Sequence, residues 1–456
     1  MPQSLTQGPV GPTLTKLTLP MVWGIFALIA FNVADTYFVG QLGTNELAAM
    51  SFTFPVVMTL GSLALGLGTG ASSIIARAIG EGDRSRVQRF TTNSLTLALV
   101  TVGIFVTIGL LTIDPLFTVL GADEETLPLI REYMQIWYFG MICLVVPMVG
   151  NSAIRAAGNT LTPSIIMTLS AVINIILDPL LILGIGGFPR MELQGAAIAT
   201  IGARAVTLVA SLLVLRFKED LLSSKLPDME ETLWCWRDIL YVGVPAAATS
   251  MITPISIGVI TAMLAAFGAA SVAAFGVASR IESFAMIALV ALSVSIGPFV
   301  GQNWGAKAYG RVRKALQLSV FFCMGWGILL AILLAVSRQS LARLFNADPE
   351  VVAIASAYLL IVPASYGAAG IVQVSSSTFN ALGRPIPAVL MTVGRMVGLY
   401  IPLAFLGGRF FGVTGIFIAA CLSNLIAGLG AYLWNQRACG LKATGETHTP
   451  ESPMEA

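Results

Sequence analysis

Runs of about twenty apolar residues recur along the whole chain, and each is long enough to cross the hydrocarbon core of a bilayer as a helix. They fall at roughly 15–40, 47–76, 91–112, 132–152, 161–184, 194–215, 239–266, 272–301, 316–337, 351–375, 386–407 and 412–434. The pattern predicts an all-α polytopic membrane protein of twelve transmembrane helices. Composition agrees: 56% of the 456 residues are hydrophobic and 11% charged, with a mean hydropathy of +0.85, outside the range of soluble domains. A net charge of +2 offers no electrostatic footprint for nucleic acid. The one histidine, His448, stands in a polar tail, which excludes a histidine metal site. Five cysteines (Cys143, Cys235, Cys323, Cys421, Cys439) lack the spacing of a metal site or disulfide framework and read as small apolar residues. No nucleophile with an adjacent base and no nucleotide-binding loop occurs, so neither an enzyme nor an ATP-driven pump is expected. The opening MPQSLTQGPVGPTLTKL lacks the basic region and cleavage site of a signal peptide, so the first run is expected to remain as a helix.

Basic residues set the orientation, because short loops rich in Lys and Arg stay in the cytoplasm. With the N-terminus inside, 17 basic residues fall in inside loops, from Lys16 and the cluster Arg77, Arg84, Arg86, Arg89 to Arg437 and Lys442. Only five (Arg131, Arg190, Arg338, Arg343, Arg409) fall outside, and Arg204, Arg280 and Arg395 lie in spans. Both termini are therefore expected in the cytoplasm and the chain in the cell's inner membrane. The segment FKEDLLSSKLPDMEETLWCWRD, 217–238, reads as a polar cytoplasmic linker.

The architecture follows from an internal repeat. A shift of 225 residues puts Pro20 on Pro245, Gly43 on Gly268, Gly80 on Gly305, Arg86 on Arg311, Asp123 on Asp348, Tyr133 on Tyr358 and Gly158 on Gly383 without a gap. Further on, GAAIA (195–199) lies over GIFIA (415–419) at a shift of 220. Each half holds six spans, an even number, so the halves insert with the same topology. The expected organisation is an N-terminal tail (1–13), an N-lobe (14–216), the linker, a C-lobe (239–435) and a polar tail (436–456). Two pseudo-symmetric six-helix bundles related by an axis along the membrane normal suit alternating access to a central cavity.

The halves do not share their acids. Asp35, in FNVADTYFVG, maps to Ile260, and Asp178, in NIILDP, maps near Gly398 or Leu403. An acid inside a span is costly and points to function. Ser170, Asn174 and Asp178 fall at i, i+4 and i+8 and share a helix face, as do Asn32 and Asp35 at i and i+3. At ~1.5 Å per residue the two acids lie at similar depth, in the outer half of the membrane. The two acids and two asparagines can therefore form one polar cluster. Close buried carboxylates cannot both ionise cheaply and titrate as a unit, so such a cluster can hold and release a proton. Against this, Asp35 near its span's outer end reads as a solvated acid, and Asp178 before Pro179 as a cap on a kink. Pro20 frees a backbone carbonyl and permits a bend, though proline near a helix start is often only tolerated. Arg280 and Glu282 point apart at i and i+2. Tyr37, Asn151, Thr200 and Gln373 read as cavity-lining groups, or as bonds to neighbouring helices.

NVADTYFVGQLGTNELAA after the first proline, IGEGDRSRV with its echo WGAKAYGRV, RAAGNTLTP and NIILDP together resemble the multidrug and toxic compound extrusion (MATE) family, in particular its DinF-like branch. The resemblance covers about residues 14–435. It implies secondary active efflux of cationic and amphiphilic small molecules, exchanged for protons or sodium ions, without a cofactor and as a monomer in the lipid bilayer. It places the functional acid at Asp35, its partners at Asn174 and Asp178, and further cargo contacts at Asn151 and Thr200. The sodium-coupled branch keeps acids in helices 7 and 10, which are absent here, so proton coupling through the N-lobe is expected. Sodium coupling by the same acids and a lipid-precursor flippase remain the alternatives.

Overall fold

A computed structural model describes residues 5–223 and 228–440, without the side chains of 44–48, 439 and 440. Lys225, Lys442, His448, the tail beyond 440 and the thiol of Cys439 lie outside the described residues. With no water in a bilayer core, each apolar run satisfies its own backbone as helix. The N-lobe comprises α1 (Val10–Val39), α2 (Thr44–Glu81), α3 (Arg84–Val119), α4 (Thr126–Ala156), α5 (Leu161–Ile182) and α6 (Glu192–Lys218). The C-lobe begins with α7 (Met229–Ala265), α8 (Ala269–Ala285 and Ile287–Gly305), α9 (Tyr309–Phe345) and α10 (Pro349–Ala381).

The last apolar stretch, Pro385–Ala438, runs for 54 residues but turns back at Gly412, where φ is 61° and ψ −146°. A Cβ on Gly407 would stand 2.5 Å from the carbonyl oxygen of Gly415. Eight residues of straight helix would separate these positions by about 12 Å. The stretch is therefore a hairpin of α11 (385–411) and α12 (413–438), which brings the spans among the described residues to the twelve expected from hydropathy.

Most spans start earlier than hydropathy indicated, because their first turns lie in the polar loop layer. Helix α1 begins at Val10, and α7 at Met229, inside the segment read as linker. The early turn of α7 is polar because it packs in the loop layer: Glu231 pairs with Arg89 at 2.8 Å, and Trp236 Nε1 donates to the Asn93 carbonyl at 3.0 Å. Other ends follow local chemistry. Asp83 heads α3 by accepting the Arg86 backbone N–H at 3.0 Å, and that bond, with one from Ser85, holds its carboxyl below the usual range. Repeat partners Gly158 (φ 88°) and Gly383 (φ 71°) take left-handed conformations after α4 and α10, where a Cβ would be strained.

Each lobe has its own apolar core, with Phe117, Ile130 and Met134 in one and Phe299, Phe379 and Phe417 in the other. The lobes meet closely at the end that carries the basic loops. Repeat partners Gly80 and Gly305 lie against the backbones of Gln302 and Arg77 in the opposite lobe. Ser73 Oγ donates to the Asn380 carbonyl at 2.6 Å, and Gln302 Nε2 to the Ala156 carbonyl at 2.7 Å.

Candidate functional site

Asn174 and Asp178, one turn apart on α5, are fully buried, and Asn174 Nδ2 donates to Asp178 Oδ1 at 3.1 Å. Asp35 on α1 approaches closely enough for the two carboxylates to repel each other. The two acids therefore lie within electrostatic reach of each other. Asn32 does not join them: it is exposed and turns its amide back to the Leu28 carbonyl of its own helix, 3.0 Å away. Short polar side chains commonly make this bond to the previous turn.

Two residues that sequence reasoning did not assign complete the cluster. Arg204 on α6 lies within electrostatic reach of Asp35, with its guanidinium over the Phe31 ring at 5.6 Å. Buried Tyr133 on α4 lies within reach of Asp35, Asp178 and Arg204. Both left traces in the sequence: Arg204 as an arginine inside a span, one turn from Thr200, and Tyr133 as a repeat partner of Tyr358. Two carboxylates and one guanidinium leave a formal charge of −1. Asp35 Oδ1, Asn174 Oδ1 and Asp178 Oδ2 are buried without a donor, against one unpartnered donor, Arg204 Nε. The cluster is thus short of hydrogens.

The remaining expected positions are more scattered. Asn151 and Thr200 are buried, and the Asn151 side-chain oxygen has no donor. Tyr37 is 64% exposed, its ring edge-on to Phe38. Gln373 is half-buried on α10 and Arg280 exposed on α8. Glu282 has a defined environment: Tyr358 donates to its carboxylate, Arg395, Tyr366 and Tyr400 stand within electrostatic reach, and Arg395 donates to Asn424 Oδ1 at 3.1 Å. Glu282 and Arg280 are therefore not partners, as their spacing indicated. Pro20 lies inside α1.

Two like lobes of six spans around buried, unshared polar clusters are the build of a membrane transporter. The chain belongs to the MatE family, whose model matches residues 20–180 and 245–406, two blocks that begin 225 residues apart, as the internal repeat does. It is 42% identical over 441 residues, 96% of this chain and 98% of the relative, to the FAD transporter of Shewanella oneidensis. It is 26% identical to the probable multidrug resistance protein YoeA of Bacillus subtilis, covering 92% of this chain and 96% of that one. Among solved structures, the Vibrio cholerae MATE transporter VcmN, in its D35N mutant, matches with a TM-score of 0.90 and 32% identity over 95% of this chain and 97% of that one.

Proposed function

We propose that the chain is a proton-driven efflux antiporter of the cytoplasmic membrane, with both termini in the cytoplasm, coupled through Asp35, Asn174 and Asp178. The observation that carries the coupling is the surplus of buried oxygens without donors. One proton brings the formal charge of the cluster to zero and supplies a missing donor. In the state open to the outside, the cluster takes a proton. Neutralisation alters the packing of α1 against α5 and releases cargo, and the return to the inward-open state delivers the proton to the cytoplasm. Antiport follows when proton and cargo favour different states of the same lobe.

For cargo we infer FAD or a closely related flavin. The relative named as an FAD transporter supports this at 42% identity across nearly its whole length. Arg204 stands beside the N-lobe acids and Arg395 beside Glu282, so each cluster carries a cationic group as well as acid. A second reading, export of cationic amphiphiles, has the support of the relatives named as multidrug proteins.

Proteoliposomes test both readings. FAD and a fluorescent cationic dye are each followed under an imposed proton gradient and, separately, under a sodium gradient. The expected result is FAD movement driven by the proton gradient and abolished by Asp35→Asn. Dye transport without FAD transport would move the cargo to the second reading. Flux driven only by sodium would overturn the proton.

A further inference from the structure

The internal repeat pairs two places at the ends of the lobes away from the basic loops, and there the halves differ. In the N-lobe, Asp114 on α3 and Arg131 on α4 form a two-pronged ion pair, the guanidinium donating to the two carboxylate oxygens at 3.0 and 2.8 Å. Beside it, Gln194 at the start of α6 donates to Glu132 at 3.0 Å. These bonds tie α4 to both its neighbours, so the N-lobe seals this place with its own side chains. The shift of 225 residues carries Asp114 to Gln339, Arg131 to Ser356 and Glu132 to Ala357, and the shift of 220 carries Gln194 to Thr414. The C-lobe therefore has neither the ion pair nor its neighbour.

A cavity of about 920 Å³ stands there instead, between α9, α10 and the first turn of α12, the size of a ligand pocket. Gln339, Ser356 and Thr414 line it together with Arg338 and Arg343. The repeat partners of these arginines are Ile113 and Thr118, so both positive charges belong to the C-lobe alone. Among the described residues neither arginine makes an ion pair or hydrogen bond, and no acid lines the cavity. Asp348, at the head of α10, turns its carboxylate to the Glu350 N–H at 2.9 Å. Ser356 is 7% exposed, and its hydroxyl has no partner among the described residues. A buried hydroxyl beside two unpaired guanidinium groups calls for an acceptor with negative charge.

Position names the source of that charge. The apolar run of α9 ends at 337, so Arg338 is the first residue past it and Arg343 stands about 7.5 Å further out, at the level of lipid headgroups. Toward the membrane centre, Ile332 and Val336 continue the stripe of Gln339 and Arg343 at helical spacing, and they are 61% and 84% exposed. Leu360 on α10 also lines the cavity and is half-exposed. The cationic groove thus runs into an apolar face that suits acyl chains.

We propose that this groove binds an anionic phospholipid of the leaflet away from the basic loops. The headgroup phosphate lies between Arg338 and Arg343 and accepts from the Ser356 hydroxyl, while the acyl chains follow Ile332, Val336 and Leu360. A zwitterionic lipid brings the same phosphate, but its own cation stands next to two fixed positive charges, so a lipid of net negative charge is preferred. The bound lipid ties α9 to α10 as the Asp114–Arg131 pair ties α3 to α4. The site is independent of the cargo and of the coupling ion.

The test is native mass spectrometry of the purified chain in detergent, titrated with phosphatidylglycerol and, separately, with phosphatidylethanolamine. The parent is expected to hold one phosphatidylglycerol about fivefold or more tightly than phosphatidylethanolamine. Arg338→Gln and Arg343→Gln should each weaken phosphatidylglycerol binding by about fivefold. Arg190→Gln, which removes the same charge from the corresponding end of the N-lobe, should leave it unchanged. Gln339→Asp combined with Ser356→Arg installs the N-lobe pair at constant net charge and should remove the preference. Equal affinity of the parent for the two lipids, parent-like binding in both arginine variants, or an equal loss in Arg190→Gln would overturn the site. Displacement of the lipid by excess glycerol phosphate would make the groove a site for soluble anions and overturn the lipid.

Discussion

Both lobes bury a tyrosine at the same duplicated position, Tyr133 and Tyr358, and both set acid and arginine around it, but the hydrogen-bond balance is opposite. In the N-lobe the acids come from α1 and α5 and the arginine from α6, and three buried oxygens lack donors. In the C-lobe the acid comes from α8 and the arginine from α11. There the carboxylate is served by Tyr358, and the unpartnered atoms are Arg395 Nε and the Tyr366 hydroxyl, both donors. Duplication copied the scaffold and the tyrosine, while the charges were placed separately in each half. One cluster is left able to gain a proton; the other has its acid already satisfied.

The largest effect should come from breaking the N-lobe side. Asp35→Asn is expected to fold and insert but to lose proton-driven flux by about tenfold or more. Asp178→Asn should do the same, with Asn174 left facing an amide. Flux near the native level in both would end the contrast between the lobes. Arg204→Gln should act next most strongly. It leaves two carboxylates without their guanidinium, so FAD flux is expected to fall while cationic dye flux holds or rises. Equal losses of both would show that Arg204 only supports the fold.

On the C-lobe side, Tyr358→Phe removes the donor to Glu282 and is expected to cost about 2 kcal/mol of stability, read as a lower thermal midpoint in detergent. The proton dependence of its transport should stay native; a changed dependence would make the C-lobe cluster a second coupling site. The smallest effect should appear at the loop ends. Asp83→Ala makes α3 resemble α9, whose equivalent position is Ala308, and should cost about 1 kcal/mol. Because the folded pKa of Asp83 lies below its usual value, this contribution is present at neutral pH and is lost as the pH falls through the acidic range. A thermal midpoint compared at neutral and acidic pH should show the gap between parent and variant closing.

Much of the fold was legible because bilayer-crossing helices announce themselves by length and hydropathy, and because a gapless repeat fixes which helices correspond. The Asn174 and Asp178 pair was legible for a local reason, since i and i+4 on one helix must share a face. Asn32 looked equivalent by the same rule, but its amide had a nearer partner in the carbonyl one turn back. Arg204 and Tyr133 were visible as residues and not as site members, because their relation to Asp35 runs between helices and no spacing along the chain encodes it.

The sequence alone determined that this chain lives in a bilayer, crosses it twelve times in two like halves, and carries acids in only one copy of two positions. Those are consequences of local composition and register, which each segment satisfies by itself. The tertiary structure decided which polar groups meet, which oxygens are left without donors, and that the first helix of each lobe reaches into the other. These depend on how helices far apart in sequence pack, and packing is set by the whole set of side chains at an interface.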